Sequence, residues 1–315
     1  MTIYSGDFGY EVDAYGRTVT LVAYNGTDTE VIVPQTFGKY PVASIAKSAF
    51  SGNSVVESIL IPASVTTIEH EAFQNCSALE TINIPETVTS LGKGVCIDCT
   101  SLVSATVDIP ANKLPDNTFA GCTSLSTVVL SDSITEIGTT AFAKCTSLTD
   151  LSFLNNVTTI GDSQFFRNGF TDIVIPGNIT SIPYYAFAYS QTLHNVTIPS
   201  TVTYIHPDAF EGSDNTVINC YYGSYAYNYA ITYGIDYLLL DGVKLGDVTG
   251  DGRVMIDDAT AIQRHLASLE ILEGVYLKAA DTNQDGTVTI SDATTLQMFI
   301  AEYSIPYPLG EIMTQ

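Results

Sequence analysis

Apolar residues recur along the first 240 residues with a period of about 23 residues. Each period contains a short segment in which apolar and polar residues alternate, such as Ile82-Asn-Ile-Pro85. In a β-strand, alternate side chains point to opposite faces, so this alternation puts the apolar residues on one face and the polar residues on the other. These segments therefore predict half-buried β-strands. A phenylalanine follows most segments at intervals of 22 or 23 residues, with one interval of 46 that has Cys96 at its midpoint. The phenylalanines are Phe50, Phe73, Phe119, Phe142, Phe165, Phe187 and Phe210.

This repeat predicts a solenoid. A unit of about 23 residues cannot bury both its strand and its phenylalanine alone, whereas stacked units share one continuous interior. We therefore expect a parallel sheet along one side and a ladder of phenylalanine rings inside. A short helical or 3₁₀ turn is expected around each Ala-Phe pair, and the least regular units span residues 92–118.

The ends of a solenoid need caps. Residues 1–34 are predicted to form an N-terminal β cap, because apolar and polar residues alternate over 7–33. Residues 220–240 predict a strand, a short helix and a last strand, whose tyrosines either cover the final coil or form an aromatic binding platform. The solenoid with this C-terminal cap is predicted to span 35–240, followed by a linker over 241–246 and a separate module over 247–315.

The pattern over residues 31–220 resembles the BspA-like class of leucine-rich repeats. The strand Ile59-Leu-Ile-Pro62, the pair Ala72-Phe73 and the turn Cys76-Ser-Ala-Leu79 carry the resemblance within one unit. It implies an α/β solenoid of the kind found in bacterial cell-surface and secreted proteins. It also implies recognition of a protein or a glycan, and it offers no catalytic residues.

Four of the six cysteines fall 23 residues apart, at Cys76, Cys99, Cys122 and Cys145. Stacking puts them on one line, and ligands on one line cannot form the tetrahedron that zinc adopts. Disulfides between neighbouring coils would have marginal geometry. Units without cysteine carry Asn53, Asn168 or Ser190 at this place, so we expect a file of small buried residues.

No motif puts a serine or cysteine beside a histidine and an acid, so nucleophilic catalysis has no support and we expect a non-enzymatic protein. Variable positions on the strand face should carry partner specificity. Their mixed, mildly acidic character without an aromatic stripe favours a protein ligand over a glycan, unless the array is only a spacer. These positions are Glu57, Leu60, Glu80, Asn83, Val129, Asp150, Ser152, Asp172, Val174, His194 and Thr197.

An acidic loop is duplicated near the C-terminus, over residues 247–258 and 281–292. Each copy has oxygen-bearing side chains at positions 1, 3 and 5, glycine at position 6 and an acid at position 12. This is the spacing of an EF-hand loop, which surrounds Ca²⁺ with roughly six to eight oxygen ligands. An amphipathic helix is predicted after each loop and a connecting helix over 273–280, while no helix enters the first loop. The tail over 303–309 is expected to clasp the start of the module.

Two such loops, each followed by a helix, resemble a small all-α type I dockerin. The resemblance implies two bound Ca²⁺, a scaffoldin cohesin as partner, and secretion as part of a cellulosome, an assembly for polysaccharide degradation. The first site would use Asp247, Thr249, Asp251, the Arg253 carbonyl and Asp258, and the second Asp281, Asn283, Asp285, the Thr287 carbonyl and Asp292. Met255 offers no oxygen at position 9, so the first site should be the weaker one.

The resemblance also implies cohesin contacts at loop positions 10 and 11 and on the following helix. They are Ile256, Asp257, Gln263 and Arg264 in the first copy, and Ile290, Ser291, Gln297 and Met298 in the second. The shared isoleucine and glutamine allow two interchangeable binding orientations, whereas the differences between the copies favour one.

The net charge of the chain excludes two classes of binding partner. The chain has 34 acidic and 11 basic residues and a net charge of −23, so it repels nucleic acid and anionic membranes. The N-terminal residues lack the features of a secretory signal, which fits a cytoplasmic chain or a mature form; the dockerin resemblance favours secretion. A non-catalytic cellulosome component is the leading hypothesis. The alternatives are a bacterial surface adhesin with a calcium-stapled C-terminal module and an inhibitor of a secreted enzyme.

Overall fold

The computed structural model describes residues 2–149, 151–240, 242–311 and 313, which fall into two compact units. Unit 1 comprises Met1–Ile218 with Tyr233–Asp236, and unit 2 comprises Asn219–Thr232 with Tyr237–Gln315. Most of the segment predicted as the C-terminal cap therefore groups with the module that follows it. The predicted linker over 241–246 is not where the units divide, and its Asp241 lies outside the described residues.

Unit 1 begins with the predicted N-terminal cap. β1 (Ile3–Ser5) pairs antiparallel with β2 (Phe8–Val12), which pairs antiparallel with β3 (Val19–Tyr24). A parallel sheet then runs along one side of the coils. In pairing order its strands are β4 (Glu30–Ile32), β7 (Ser58–Leu60), β9 (Thr81–Ile84), β11 (Ser104–Val107) and β13 (Thr127–Leu130).

A second file of short strands lies at another corner of the coils. It starts where β3 pairs with β6 (Tyr40–Ile45), whose other strand neighbours are β5 (Thr36–Phe37) and β8 (Thr67–Ile68). It continues through β10 (Ser90–Leu91), β12 (Lys113–Leu114), β14 (Glu136–Ile137), β15 (Thr159–Ile160), β17 (Ser181–Ile182) and β19 (Tyr204–Ile205). Most paired residues lie one repeat apart, such as Ser90 with Thr67, so the predicted solenoid with parallel strands is confirmed.

The first sheet is interrupted after β13. Ser152–Leu154 forms a 3₁₀ helix where the repeat predicts a strand, and strands resume with β16 (Asp172–Val174), β18 (Asn195–Thr197) and β20 (Val217–Cys220). The cause is the spacing of apolar residues: Leu151 and Leu154 are both buried, and side chains three apart share one side of a 3₁₀ helix. Ser152 therefore does not lie on a strand, and Asp150 lies outside the described residues.

The phenylalanine ladder lines the interior, as predicted. All seven phenylalanines are buried, and Cys96 occupies the place between Phe73 and Phe119. Ring centroids of neighbouring coils lie 5.4 Å apart for Phe50 and Phe73 and 5.6 Å apart for Phe119 and Phe142. Aromatic pairs at this separation add to the burial that holds the coils together.

The predicted helical or 3₁₀ turn around each Ala-Phe pair is found as a turn closed by bonds three residues apart, such as Gln74 N–H to the Glu71 oxygen at 3.1 Å, and it does not extend into a helix in the described residues. Most of these turns contain two residues with positive φ, four apart, such as Glu71 (58°) and Asn75 (57°), and the turn at Phe210 contains one, Gly212 (66°). An α or 3₁₀ helix needs consecutive negative φ values, so each left-handed residue ends the helical run. Turns of neighbouring coils are joined by hydrogen bonds, as from Phe73 N–H to the Val95 carbonyl at 2.9 Å.

The predicted file of small buried residues is confirmed at the four repeated cysteines. Each is fully buried, and each thiol donates to a carbonyl 26 residues earlier, such as Cys99 Sγ to the Phe73 oxygen at 3.1 Å. The Ser213 hydroxyl makes the same bond, to the Phe187 oxygen at 2.7 Å. Burial raises the pKa of the Cys145 thiol to about 12, so this thiol is protonated at neutral pH.

A serine should replace Cys122 better than a valine. The Cys122 thiol donates to the Cys96 oxygen at 3.1 Å, and a serine hydroxyl can make that bond, as at Ser213. We expect Cys122→Ser to cost about 1 kcal/mol or less and Cys122→Val about 1–3 kcal/mol, because valine removes the donor and overfills the interior. Equilibrium urea unfolding followed by circular dichroism measures both. A valine variant more stable than the serine variant would show that apolar packing, not the hydrogen bond, sets this position.

Beyond the solenoid, the predicted order of strand, short helix and last strand is confirmed by β20, α1 (Tyr225–Tyr233) and β21 (Asp236–Leu239). The module that follows has three helices in its described residues, α2 (Ile256–Leu266), α3 (Gly274–Ala280) and α4 (Ile290–Ile300). α3 is the predicted connecting helix. None of the described helices has the length and apolar character needed to span a membrane.

α2 and α4 pack around one small core. Its buried residues are Leu245, Val248, Ala259, Ala261, Ile262, Leu272, Ala280, Ala293, Leu296 and Leu309. The two ends of the module meet: Leu309, from the predicted tail, is buried in this core with Leu245. Just beyond that tail, Gly310 N–H donates to the Leu245 oxygen (2.8 Å) and Met313 N–H to the Val243 oxygen (3.1 Å). The clasp thereby fixes the entry to the first acidic loop.

Candidate calcium loops and partner surface

The first acidic loop is tied to the start of α2 by Asp258, at position 12. Asp258 Oδ1 accepts hydrogen bonds from the backbone N–H groups of Val248 (2.9 Å) and Thr249 (2.8 Å) and from the Thr249 hydroxyl (2.8 Å). Its Oδ2 accepts from Met255 N–H at 2.8 Å. A carboxylate in the first turn of a helix is stabilised by the helix dipole. Asp258 therefore anchors both ends of the loop on one buried side chain.

Asp247, at position 1, has a buried oxygen that the loop does not satisfy. Its Oδ2 accepts from Gly252 N–H at 2.8 Å, whereas its Oδ1 is buried without a hydrogen-bond partner. Burial first, and then the nearby Asp258 and Asp251 carboxylates, raise the pKa of Asp247 to about 6. A buried charge needs a partner of opposite sign, and a cation bound here would supply it.

Tyrosines distant in sequence support the first loop, and no local motif predicts them. Gly252, at position 6, has φ +74°, and a Cβ on it would collide with the Tyr222 ring. The Tyr227 hydroxyl donates to the Gly250 oxygen at 2.7 Å. The Tyr276 ring lies 2.6 Å from where a Cβ on Gly250 would stand. The tyrosine-rich segment, expected to be a solenoid cap or a platform, thus packs against the acidic loop.

The second loop is closed in the same way and is more open to solvent. Asp292 Oδ2 accepts from Thr289 N–H (2.8 Å), and its Oδ1 accepts from Asn283 N–H (3.2 Å). Asp281 accepts from the N–H groups of Asp285 (3.0 Å) and Gly286 (2.8 Å). Asp281 is half-buried and Asp285 exposed, whereas Asp247 in the first loop is buried.

The ligand types in both loops suit calcium. They comprise carboxylates, a threonine hydroxyl, an asparagine amide and a backbone carbonyl, and hard cations prefer such oxygens. Across the described ranges, no three His, Cys, Asp or Glu side chains form a group spaced to hold a metal ion. The structure therefore brings Thr249 to Asp258 and Asn283 to Asp292 without converging the three carboxylates of either loop. The unpaired Asp247 oxygen is the feature that fits a cation.

The eight residues at the cohesin-contact positions are all exposed. Ile256 and Ile290, the first residues of α2 and α4, are 57% and 63% exposed. Arg264 pairs with Glu270, Nε to Oε2, at 2.9 Å. Two equivalent helix starts each present an isoleucine to solvent, and in each helix a glutamine follows about two turns further along.

Comparison with known families fits both parts of the fold. A model of the BspA type leucine rich repeat region matches residues 29–125 and 112–224, in six copies. The chain belongs to this leucine-rich repeat family. A model of the type I dockerin domain matches residues 245–301, over the two loops and the three helices after β21. Leucine-rich repeats and dockerins are non-catalytic modules, and type I dockerins bind calcium.

Three solved structures of bacterial proteins are similar to this leucine-rich repeat protein. A leucine rich cell surface protein from Faecalibacterium prausnitzii is 22% identical, with 70% of this chain and 88% of that chain covered and a TM-score of 0.36. The leucine-rich repeat protein of T. pallidum is 19% identical, with 76% and 98% covered and a TM-score of 0.43. A leucine-rich repeat protein from Bacteroides ovatus is 20% identical, with 70% and 82% covered and a TM-score of 0.34. No curated protein matches the chain significantly.

Proposed function

We propose that this protein is a secreted, non-catalytic cellulosome component. Residues 247–315 would be the dockerin that binds a scaffoldin cohesin, and residues 35–240 would present a recognition surface. The observation that carries the proposal is that the dockerin match coincides with exposed residues at every contact position that the family implies. An apolar residue as exposed as Ile256 or Ile290, repeated on two helix starts, is typical of a protein-binding patch.

Two calcium ions would order the helix starts that carry those residues. The first ion would be held by Asp247, Thr249, Asp251, the Arg253 carbonyl and Asp258, and the second by Asp281, Asn283, Asp285, the Thr287 carbonyl and Asp292. The ion supplies positive charge to three carboxylates in each loop. Asp258 and Asp292 connect each loop to the first turn of its helix, which supports a direct coupling between ion binding and the contact surface.

The cohesin side of the interface would be formed by the exposed faces of α2 and α4. The contacts would be Ile256, Asp257, Gln263, Arg264, Ile290, Ser291, Gln297 and Met298. Burying one isoleucine contributes about 1.5–3 kcal/mol, so the two isoleucines would be the main anchors. Met298 adds a flexible apolar chain that adapts to its partner.

A panel of type I cohesins tests the proposal. We expect the full chain to bind at least one cohesin in calcium and to lose that binding in chelator, as measured by surface plasmon resonance. If no cohesin in the panel binds, the protein is better explained as a surface adhesin whose calcium loops only stiffen its C-terminus.

The solenoid sheet supports a protein ligand with basic and apolar residues. The strand register puts five outward residues in one row: Ile32, Leu60, Asn83, Thr106 and Val129. The three aliphatic residues of this row are exposed. Exposed acidic residues lie at both ends of these strands. Glu30, Glu57 and Glu80 stand at or just before a strand start, and Glu86, Asp108 and Asp132 follow a strand end. The five strands contain no lysine or arginine. We propose that this row receives an extended segment with aliphatic and cationic side chains.

A peptide-display screen against the full chain tests this row. We expect enrichment of sequences that combine lysine or arginine with leucine or isoleucine, because they match its charge and its apolar centre. The enrichment should disappear with the variant Leu60→Ser/Val129→Ser. Enrichment of acidic peptides, or an unchanged selection with that variant, would contradict the proposed ligand chemistry.

A further inference from the structure

Three successive coils carry, in their turns and at the start of β19, a surface cluster that the proposed function does not use. We call it the aromatic turn cluster, and its members are Phe166, Tyr184, Tyr185, Tyr189, Tyr204 and His206. Tyr184 and Tyr204 are exposed, and the other four are half-buried. All six lie in unit 1. Surface rings on this scale are typical of a binding site.

Tyr185 is the centre of the cluster. Tyr184 stacks on it with ring centroids 3.9 Å apart, and Phe166 is near-parallel to it at 6.4 Å. Tyr189 meets Tyr185 edge-on at 6.1 Å. His206 meets Tyr184 edge-on at 5.0 Å. The rings therefore form one connected group across neighbouring coils, which contains both stacked and edge-on ring pairs.

Charged and polar groups border these rings. The Tyr189 hydroxyl donates to Glu211 Oε1 at 2.7 Å. The Arg167 guanidinium lies 5.2 Å from the Phe166 centroid and 5.9 Å from that of Tyr189, within range of a cation–π interaction. Hydrogen bonding with Tyr184, and then with Glu211, raises the pKa of Tyr185, which keeps its hydroxyl neutral. The patch thus offers a carboxylate, a guanidinium and tyrosine hydroxyls around an apolar centre.

Two of these tyrosines occupy backbone positions that disfavour bulky side chains. Tyr185 has φ 55° and Tyr189 has φ 56°, at the two left-handed places of their turn. Six other coils have a non-aromatic residue at both places, and the last coil has one left-handed residue, Gly212. The residues of the six coils are Ser48, Gly52, Glu71, Asn75, Gly94, Asp98, Asn117, Gly121, Thr140, Lys144, Ser163 and Arg167. The left-handed turn belongs to the repeat, whereas aromatic rings at both of its left-handed places occur in this coil alone among the described coils.

The neighbouring coil makes room for one of these rings. A Cβ on Gly212 would lie 2.7 Å from Tyr189 Cδ1, so only glycine fits beside the ring as it stands. The backbone fixes the same turns, because Tyr189 N–H donates to the Glu211 oxygen at 2.7 Å and Arg167 N–H to the Ala188 oxygen at 3.0 Å. The cluster is therefore held in one arrangement before any ligand arrives, which lowers the entropic cost of binding.

We propose that the aromatic turn cluster binds a neutral polysaccharide. Sugar rings combine apolar C–H faces with a rim of hydroxyl groups, and the cluster matches both with aromatic rings and polar groups. The net charge of −23 disfavours an acidic polysaccharide. Aromatic clusters also bind proline-rich segments, but proline has no N–H to donate to the exposed Glu211 carboxylate. Hydroxyl groups donate to a carboxylate and accept from a guanidinium, so Glu211 and Arg167 favour the polysaccharide.

Affinity electrophoresis and calorimetry of the full chain in calcium test this proposal. The probes are glucomannan, mixed-linkage β-glucan and xylan, with polygalacturonate as the acidic polymer and a polyproline peptide as the competing class. We expect binding to at least one neutral polymer and none to polygalacturonate. Binding to polyproline alone, or to none of the neutral polymers, overturns the proposal. The result is independent of cohesin binding.

Glycine variants separate binding from stability. Tyr185→Gly and Tyr189→Gly each remove a ring and install the residue that relieves a positive φ, so the unfolding midpoint should stay the same or rise. Each should weaken polysaccharide binding at least about tenfold. The control is Tyr15→Ala, which removes a tyrosine that is 79% exposed outside the cluster and should leave binding unchanged. Wild-type binding by both glycine variants would show that the rings have only a structural role.

Discussion

Removal of calcium should unfold the dockerin module and leave the repeat array folded. The module's core is a single cluster around α2 and α4, and a domain below roughly 70–80 residues rarely gains more than about 3–5 kcal/mol from such a core. A ligand at a thousandfold excess over its Kd adds about 4.1 kcal/mol. Calcium would therefore supply a stabilisation similar in size to that of the core. The buried, unpaired Asp247 oxygen is a cost that remains when no cation is bound.

Far-UV circular dichroism during a chelator titration measures this effect. The helical signal of α2, α3 and α4 should fall in chelator and return with added Ca²⁺, while the β signal of the array persists. Asp247→Asn and Asp281→Asn should each raise the calcium concentration needed for refolding. Glu273→Gln, which neutralises an exposed acid outside both loops, should not. A helical signal that chelator leaves unchanged would refute the calcium-dependent module.

Replacing Ile256 and Ile290 together with aspartate should weaken cohesin binding at least about a hundredfold, or about 2.8 kcal/mol. Each substitution removes an exposed apolar anchor and would bury a charge against the cohesin. Folding should be preserved, because both residues begin helices, where an acid interacts favourably with the helix dipole. The matched control is Ile271→Asp, at a residue 77% exposed in the same module but outside the contact set. Surface plasmon resonance in calcium measures the affinities of the wild type, the double variant and the control.

The single variants decide between one and two binding orientations. Small, equal losses for Ile256→Asp and Ile290→Asp, with a large loss for the double variant, would mean that either copy can engage the cohesin. The sequence differences between Asp257 and Ser291 and between Arg264 and Met298 favour one orientation. In that case one single variant should lose nearly as much affinity as the double variant. Wild-type affinity in the double variant would refute the assigned contact surface.

Periodicity made most of the architecture predictable. A repeat of 22 or 23 residues specifies which side chains face inward in every coil, so the parallel strands, the phenylalanine ladder and the buried cysteine file follow from spacing alone. The connecting helix α3 and the terminal clasp also follow from local patterns of apolar residues. The dockerin loops are equally local, because their oxygen ligands are spaced within 12 residues of chain.

The local sequence pattern gave a wrong or incomplete prediction where the same residues are compatible with two kinds of secondary structure. Ser152–Leu154 occupies a position where the repeat predicts a strand. It forms a 3₁₀ helix instead, because that helix buries both Leu151 and Leu154. The Ala-Phe turns have helical composition, yet left-handed residues end the helical run in each turn while its backbone bonds to the neighbouring coil. In both cases packing against neighbouring coils outweighs the preference of the isolated segment.

The sequence by itself determined the repeat, the two kinds of module, the candidate ligands of both loops and the isoleucines at the two helix starts. Only the tertiary structure decided which distant side chains meet. It packs Tyr222 and Tyr227 against the first acidic loop, leaves an Asp247 oxygen buried without a partner, and assembles the aromatic turn cluster from three coils. The physical reason is that spacing along the chain sets which side a residue faces. Stacking and burial set what lies beside it, and these depend on residues far apart in sequence.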